Sequence, residues 1–107
     1  MADYNEQVQR NLTGIRLQKL DRVDEAIRLY EANVGENFDG SHPYNRLAVI
    51  YRKRKQIDDE IRVLERAIWV YENIVPKERD DRELKLAVFK KRLNKARQLK
   101  LTQEHNG

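Results

Sequence analysis

The amino-acid sequence predicts an all-α chain, a right-handed α–α superhelix of two helical hairpins plus a terminal helix. The first observation behind this is a recurrence. Val23-Asp24-Glu25-Ala26-Ile27-Arg28-Leu29-Tyr30-Glu31 returns 34 residues later as Ile57-Asp58-Asp59-Glu60-Ile61-Arg62-Val63-Leu64-Glu65. Such a period marks paired-helix repeats, in which one unit cannot bury its apolar face alone and must stack on the next. The second observation is spacing. Apolar residues recur at steps of three and four along most of the chain, the interval of one helix face. The third is composition. Charged residues make up 37% and hydrophobic ones 39%, with four Gly and two Pro, which suits thin helical cores under a heavily solvated surface. At 107 residues the chain is one domain with a modest core.

Helix one is expected over residues 3–20. Val8, Leu12 and Ile15 line one side, while Leu17 and Leu20 fall well around the barrel, so it is touched from two directions. Helix two, residues 22–33, carries the stripe Val23, Ala26, Ile27 and Tyr30. Asp24 and Glu25 favour the dipole in its first turn, and Gly35 marks its stop. The turn-rich stretch 35–42 leads to Pro43, which a first helical turn tolerates because the missing N–H would be unpaired there. Helix three, residues 43–54, aligns Tyr44, Leu47, Ala48 and Tyr51. Helix four has the strongest pattern. Ile57, Ile61, Leu64, Ile68, Tyr71 and Val75 form one line, and Val63, Ala67, Val70 and Ile74 a second beside it. So wide an apolar face belongs to a helix wedged between two others, and Pro76 ends it. Helix five, residues 80–101, docks through Leu86, Phe89, Leu93 and Ala96, and residues 102–107 form a frayed tail.

The second helices of the two hairpins match well: Asp24-Glu25-Ala26-Ile27 with Tyr30 against Asp58-Asp59-Glu60-Ile61 with Leu64. In the leading helices Gly14 aligns with Ala48 and Leu17 with Tyr51. On these residues the chain resembles the tetratricopeptide repeat family, whose small positions let helices approach closely and whose large ones pack between neighbours. It departs from the pattern where Asn33 stands opposite Ala67, Glu60 opposite Ala26, and Arg10 opposite Tyr44. Lys85-Leu86-Ala87-Val88-Phe89 resembles Arg46-Leu47-Ala48-Val49-Ile50, the start of a third unit. The resemblance implies a single domain over residues 1–101, with repeats near 7–40 and 41–75 and a capping helix near 80–101.

The resemblance also implies a concave binding surface lined by the leading helices. Val8, Asn11, Leu12, Ile15 and Gln18 would come from the first, and Asn45, Val49, Arg52 and Lys53 from the third. An apolar strip beside amides and positive charge suits a peptide or helix with apolar anchors and acidic flanks. Arg52 would grip a carboxylate with two parallel bonds. The family's grip on a terminal carboxylate needs Asn where Ile15 stands, so that mode is not expected. The alternative is that helix one is buried by the chain itself or by a second copy. Trp69 lies on the polar side of helix four, in line with Asp58, Arg62, Glu65 and Glu72. It is either covered by helix five, which must pack nearby, or left out as a binding anchor.

No catalytic constellation is evident. His42 and His105 have no helical spacing to another ligand, and Asp58, Asp59 and Glu60 occupy a helix's first turn, where dipole stabilisation accounts for them. No cofactor and no metal are expected. The chain has no cysteine, so disulfides, a thiol nucleophile and a Cys-based zinc site are excluded, and a cytoplasmic setting is compatible. The N-terminus does not read as a signal peptide, and no apolar run approaches a membrane span. The net charge of +4 is uneven: −3 over residues 1–40, +2 over 41–75 and +5 over 76–107. The expected function is therefore a non-catalytic adaptor that binds a protein or peptide, an acidic one being best suited, with a homodimer as a further expectation. The competing class is a nucleic-acid-binding accessory protein acting through Lys90, Lys91, Arg92 and Lys95 of helix five. Its one aromatic, Phe89, falls on the apolar stripe and offers no base-stacking platform.

Overall fold

The computed structural model describes residues 1–106; Gly107, expected in the frayed tail, lies outside them. Five helices follow in order: α1 (Tyr4–Lys19), α2 (Val23–Gly35), α3 (His42–Lys53), α4 (Ile57–Asn73) and α5 (Arg82–Asn106). Among the described residues there is no strand. Each helix packs on the next, and α2 also touches α4. The helix α5 continues past Leu101 to Asn106, through residues expected to fray.

The core gathers around α4. Val63, Leu64, Ala67, Val70 and Tyr71 are all buried, so both lines of its apolar face are used. From α5, Leu86, Phe89, Leu93 and Ala96 dock on it. Phe89 meets Tyr71 and Tyr44 edge-on, with ring centroids 5.3 and 6.2 Å away, which joins α3, α4 and α5 in one aromatic cluster. At the rim Lys90 pairs with Glu72, Arg97 with Glu65 and Lys100 with Asp58, an antiparallel ladder of exposed ion pairs that adds little to stability.

The two hairpin turns share one geometry. In the first, Arg22 N–H reaches Leu17 C=O, Asp21 N–H reaches Gln18 C=O, and Asp21 has φ 59°. In the second, Gln56 N–H reaches Tyr51 C=O, Lys55 N–H reaches Arg52 C=O, and Lys55 has φ 61°. Every member is displaced by the 34 residues of the sequence recurrence. Both are helix ends closed by a left-handed residue that lets two backbone donors reach back to otherwise unpaired carbonyls. The end of α2 uses the same device at Asn37, φ 57°, rather than at Gly35, which remains the last helical residue.

The first hairpin is joined differently from the second. The buried side of α1 is Gln7, Asn11 and Gly14, not the apolar line Val8, Leu12 and Ile15, and Leu12 and Leu20 are exposed. Asn33 of α2 is fully buried opposite them. Its Nδ2 donates to Gln7 C=O (2.8 Å) and Asn11 Oδ1 (2.9 Å), and its Oδ1 accepts from Arg10 Nη1 (3.1 Å). Asn33 thus fills the aligned position of Ala67 with a polar group whose hydrogen bonds are met, as burial demands. Gly14 is required here: a Cβ would lie 2.6 Å from the ring of the buried Tyr30.

Candidate functional site

The clearest concavity lies between α3 and α5 over the start of α4. Both flanking helices rest on α4. They meet each other through Tyr44 against Phe89 and through Arg92 Nη1, which donates to Asn45 Oδ1 at 2.9 Å. Beside these contacts runs a groove of about 590 Å³, within the range of roughly 300–1,000 Å³ usual for ligand clefts. Ala48, Val49 and Val88 give it apolar walls, and Arg52, Lys53, Lys91, Arg92 and Lys95 surround them. Helical spacing accounts for both sets. Val49, Arg52 and Lys53 share the face of α3 opposite its buried Leu47, while Val88, Lys91 and Lys95 recur at three and four residues on α5.

Beneath the cations lies one acid. Glu60 is 2% exposed. Arg52 Nε donates to both of its carboxylate oxygens at 2.8 Å, and Arg52 Nη2 reaches Oε2 at 2.6 Å. The hydrogen bond to Glu60 raises the Arg52 pKa above its ordinary value. Arg52 does hold a carboxylate with parallel bonds, but it is the chain's own. Sequence reasoning placed Glu60 in a first turn as a dipole stabiliser and so missed it as part of the site. The signal was its alignment with the buried Ala26, a position whose side chain must point inward.

The other expected residues separate. Lys91, Arg92 and Lys95, grouped in the sequence as phosphate contacts, line the same groove as Val49, Arg52 and Lys53. Asn45 stands at its end, engaged by Arg92. Lys90 points away and pairs with Glu72. On α1, Asn11 is buried in the seam with Asn33, which corrects its assignment to an open concave surface. Gln18 Oε1 accepts from the Tyr30 hydroxyl (2.8 Å) and Arg46 Nε (3.1 Å), and Ile15 is half-buried. Trp69 is 47% exposed beside Arg66 and Asn37, so the cover expected from α5 is absent. The reason is angular: α5 docks through Phe89 on Tyr71, roughly 200° around α4 from Trp69.

Among the described residues no group of His, Asp or Glu could hold a metal ion, and no helix is long and apolar enough to cross a membrane. Comparison with protein-family models, curated proteins and solved structures returns no match.

Proposed function

We propose that this chain is a non-catalytic protein–protein interaction adaptor that receives a peptide or helix of a partner protein. The observation that carries this is the groove between α3 and α5, an apolar trough with a charged margin built on helices that the core holds rigid. Rigid presentation limits the entropy lost on binding. The kinship with tetratricopeptide repeats remains part of the proposal. It is supported by the 34-residue recurrence and by the two hairpin turns that repeat it bond for bond. The setting proposed is the cytoplasm, where a chain without cysteine forgoes nothing.

The nucleic-acid alternative has less behind it. Lys90 is paired with Glu72, Arg92 is bonded to Asn45, and Phe89 is buried under both tyrosines. The test is a pull-down from native lysate with the intact chain and with a Val49→Asp variant of matched helicity by circular dichroism. Proteins retained by the first and lost by the second are the expected result. Equal retention by both, or retention of nucleic acid in place of protein, overturns the function.

A further inference from the structure

We infer that the occupant of the α3–α5 groove is an acidic amphipathic helix of a partner protein, whose side-chain carboxylates are read by Lys53, Lys91 and Lys95 and not by Arg52. This occupant presupposes the groove-binding function proposed above. Its chemistry follows from which charges are already spent. Of the five cations around the groove, Arg52 has its Nε–Nη2 edge filled by Glu60, and Arg92 is turned to Asn45. Lys53, Lys91 and Lys95 are exposed and have no carboxylate within ion-pair distance among the described residues. They come from two helices and face one trough. Lys91 and Lys95 are one helical turn apart on α5, a spacing that carboxylates placed one turn apart on a docked helix can follow.

The walls choose between kinds of anion. Ala48, Val49 and Val88 offer apolar surface at the centre of the cations, and Val88 is 41% exposed with nothing over it. A nucleic-acid backbone has no apolar group to cover them, and no exposed aromatic stands in the groove to stack a base. An amphipathic helix supplies both parts, an aliphatic anchor on the valines and carboxylates on the lysines.

A second copy is the other nearby source of acid, since residues 1–40 carry net −3. Five of the eight acids there are already paired. Asp24, Glu25, Glu31, Glu36 and Asp39 pair with Arg54, Arg22, Arg62, Arg10 and Arg79 of the same chain. That leaves Asp3, Glu6 and Asp21 without an ion pair among the described residues, Asp3 being engaged as the cap of α1, so a different protein is the fuller source of complementary charge.

The experiment uses fluorescence anisotropy on the full chain. The probe is a labelled synthetic helix-favouring peptide of about 15 residues, with leucines on one face and glutamates flanking them. Companion peptides carry Gln for Glu or Ala for Leu, and a labelled duplex DNA serves as a further probe. The glutamate–leucine peptide is expected to bind. Lys91→Glu/Lys95→Glu should weaken it by roughly tenfold or more, with binding also falling between low and moderate salt. Val88→Asp should abolish it, and Lys77→Glu, a charge reversal on the exposed α4–α5 loop, should leave it intact. Arg52→Lys should change affinity by less than Lys91→Glu does. If the glutamine peptide binds equally well and Val88→Asp still abolishes binding, the groove stands and the acidic occupant falls. If Val88→Asp changes no peptide's binding, the groove function itself fails. Duplex binding lost in Lys91→Glu/Lys95→Glu, with no peptide bound, overturns both. Dimerisation by light scattering that this double variant abolishes assigns the groove to a second copy and overturns the acidic partner helix.

Discussion

At the scale of single residues, Arg52 and Glu60 are unequal partners. The carboxylate is buried, while the guanidinium side chain is 37% exposed. Removing the arginine strands a charge that water cannot reach, whereas removing the acid leaves a cation that water can. Arg52→Ala is therefore expected to cost about 2–3 kcal/mol, at or below the low end for broken buried pairs because half the pair is solvated. Adding Glu60→Leu should recover most of that loss, since an apolar side chain in the same space owes nothing to a partner. Urea titration of the single and double variants measures both values. A single variant no less stable than the double one contradicts this asymmetry.

At the scale of elements, the helix ends carry the clearest prediction. Lys55 closes α3 in a left-handed conformation that costs an L-residue with a Cβ roughly 1 kcal/mol, and its side chain is exposed without an ion pair among the described residues. Lys55→Gly should raise stability by about 0.5–1 kcal/mol, read as a higher melting temperature with unchanged helicity. The helices themselves were readable in the sequence because period and packing agree. Of the α4 lines, Leu64, Tyr71, Val75, Val63, Ala67 and Val70 are buried, as is the α5 stripe Leu86, Phe89, Leu93 and Ala96, while Ile57, Ile61 and Ile68 are half-buried and Ile74, just past the helix end, is exposed. For α1 the pattern misled. Its apolar residues are split between two sides, and what decides its inward face is a set of hydrogen bonds to Asn33, which hydrophobic spacing does not encode. The groove was half readable. Val49, Arg52 and Lys53 were seen on α3, but only the fold sets them beside Lys91 and Lys95, some forty residues away, and only burial gives Glu60 its hold on Arg52.

At the scale of the whole molecule, acid acts in two stages. His42 packs edge-on to Tyr30, and its Nε2 is buried without a partner; burial, with the Arg46 charge nearby, lowers its pKa. The unfolded chain then binds a proton more readily than the folded one, so stability declines as pH falls below about 6.5 and levels off beneath the folded value. Glu36 and Asp81 have lowered pKa values, chiefly through hydrogen bonds from Gln7 and Arg79, and their contribution is lost at lower pH, as each falls through its folded value. Melting temperatures between pH 8 and pH 4 should show the earlier limb in the natural chain and not in His42→Gln. An unchanged profile in that variant assigns the limb to another group.

The seam between α1 and α2 also bears on how such a chain tolerates inherited change. Gln7, Arg10, Asn11 and Asn33 interlock, so altering any one alone leaves a neighbour stranded, and drift there must move several positions at once. The α4–α5 seam is aliphatic and aromatic, and one such residue can replace another of similar bulk. Over many generations the front of the molecule is brittle and the back plastic, which leaves the lineage freest to reshape the helix that forms one wall of the groove.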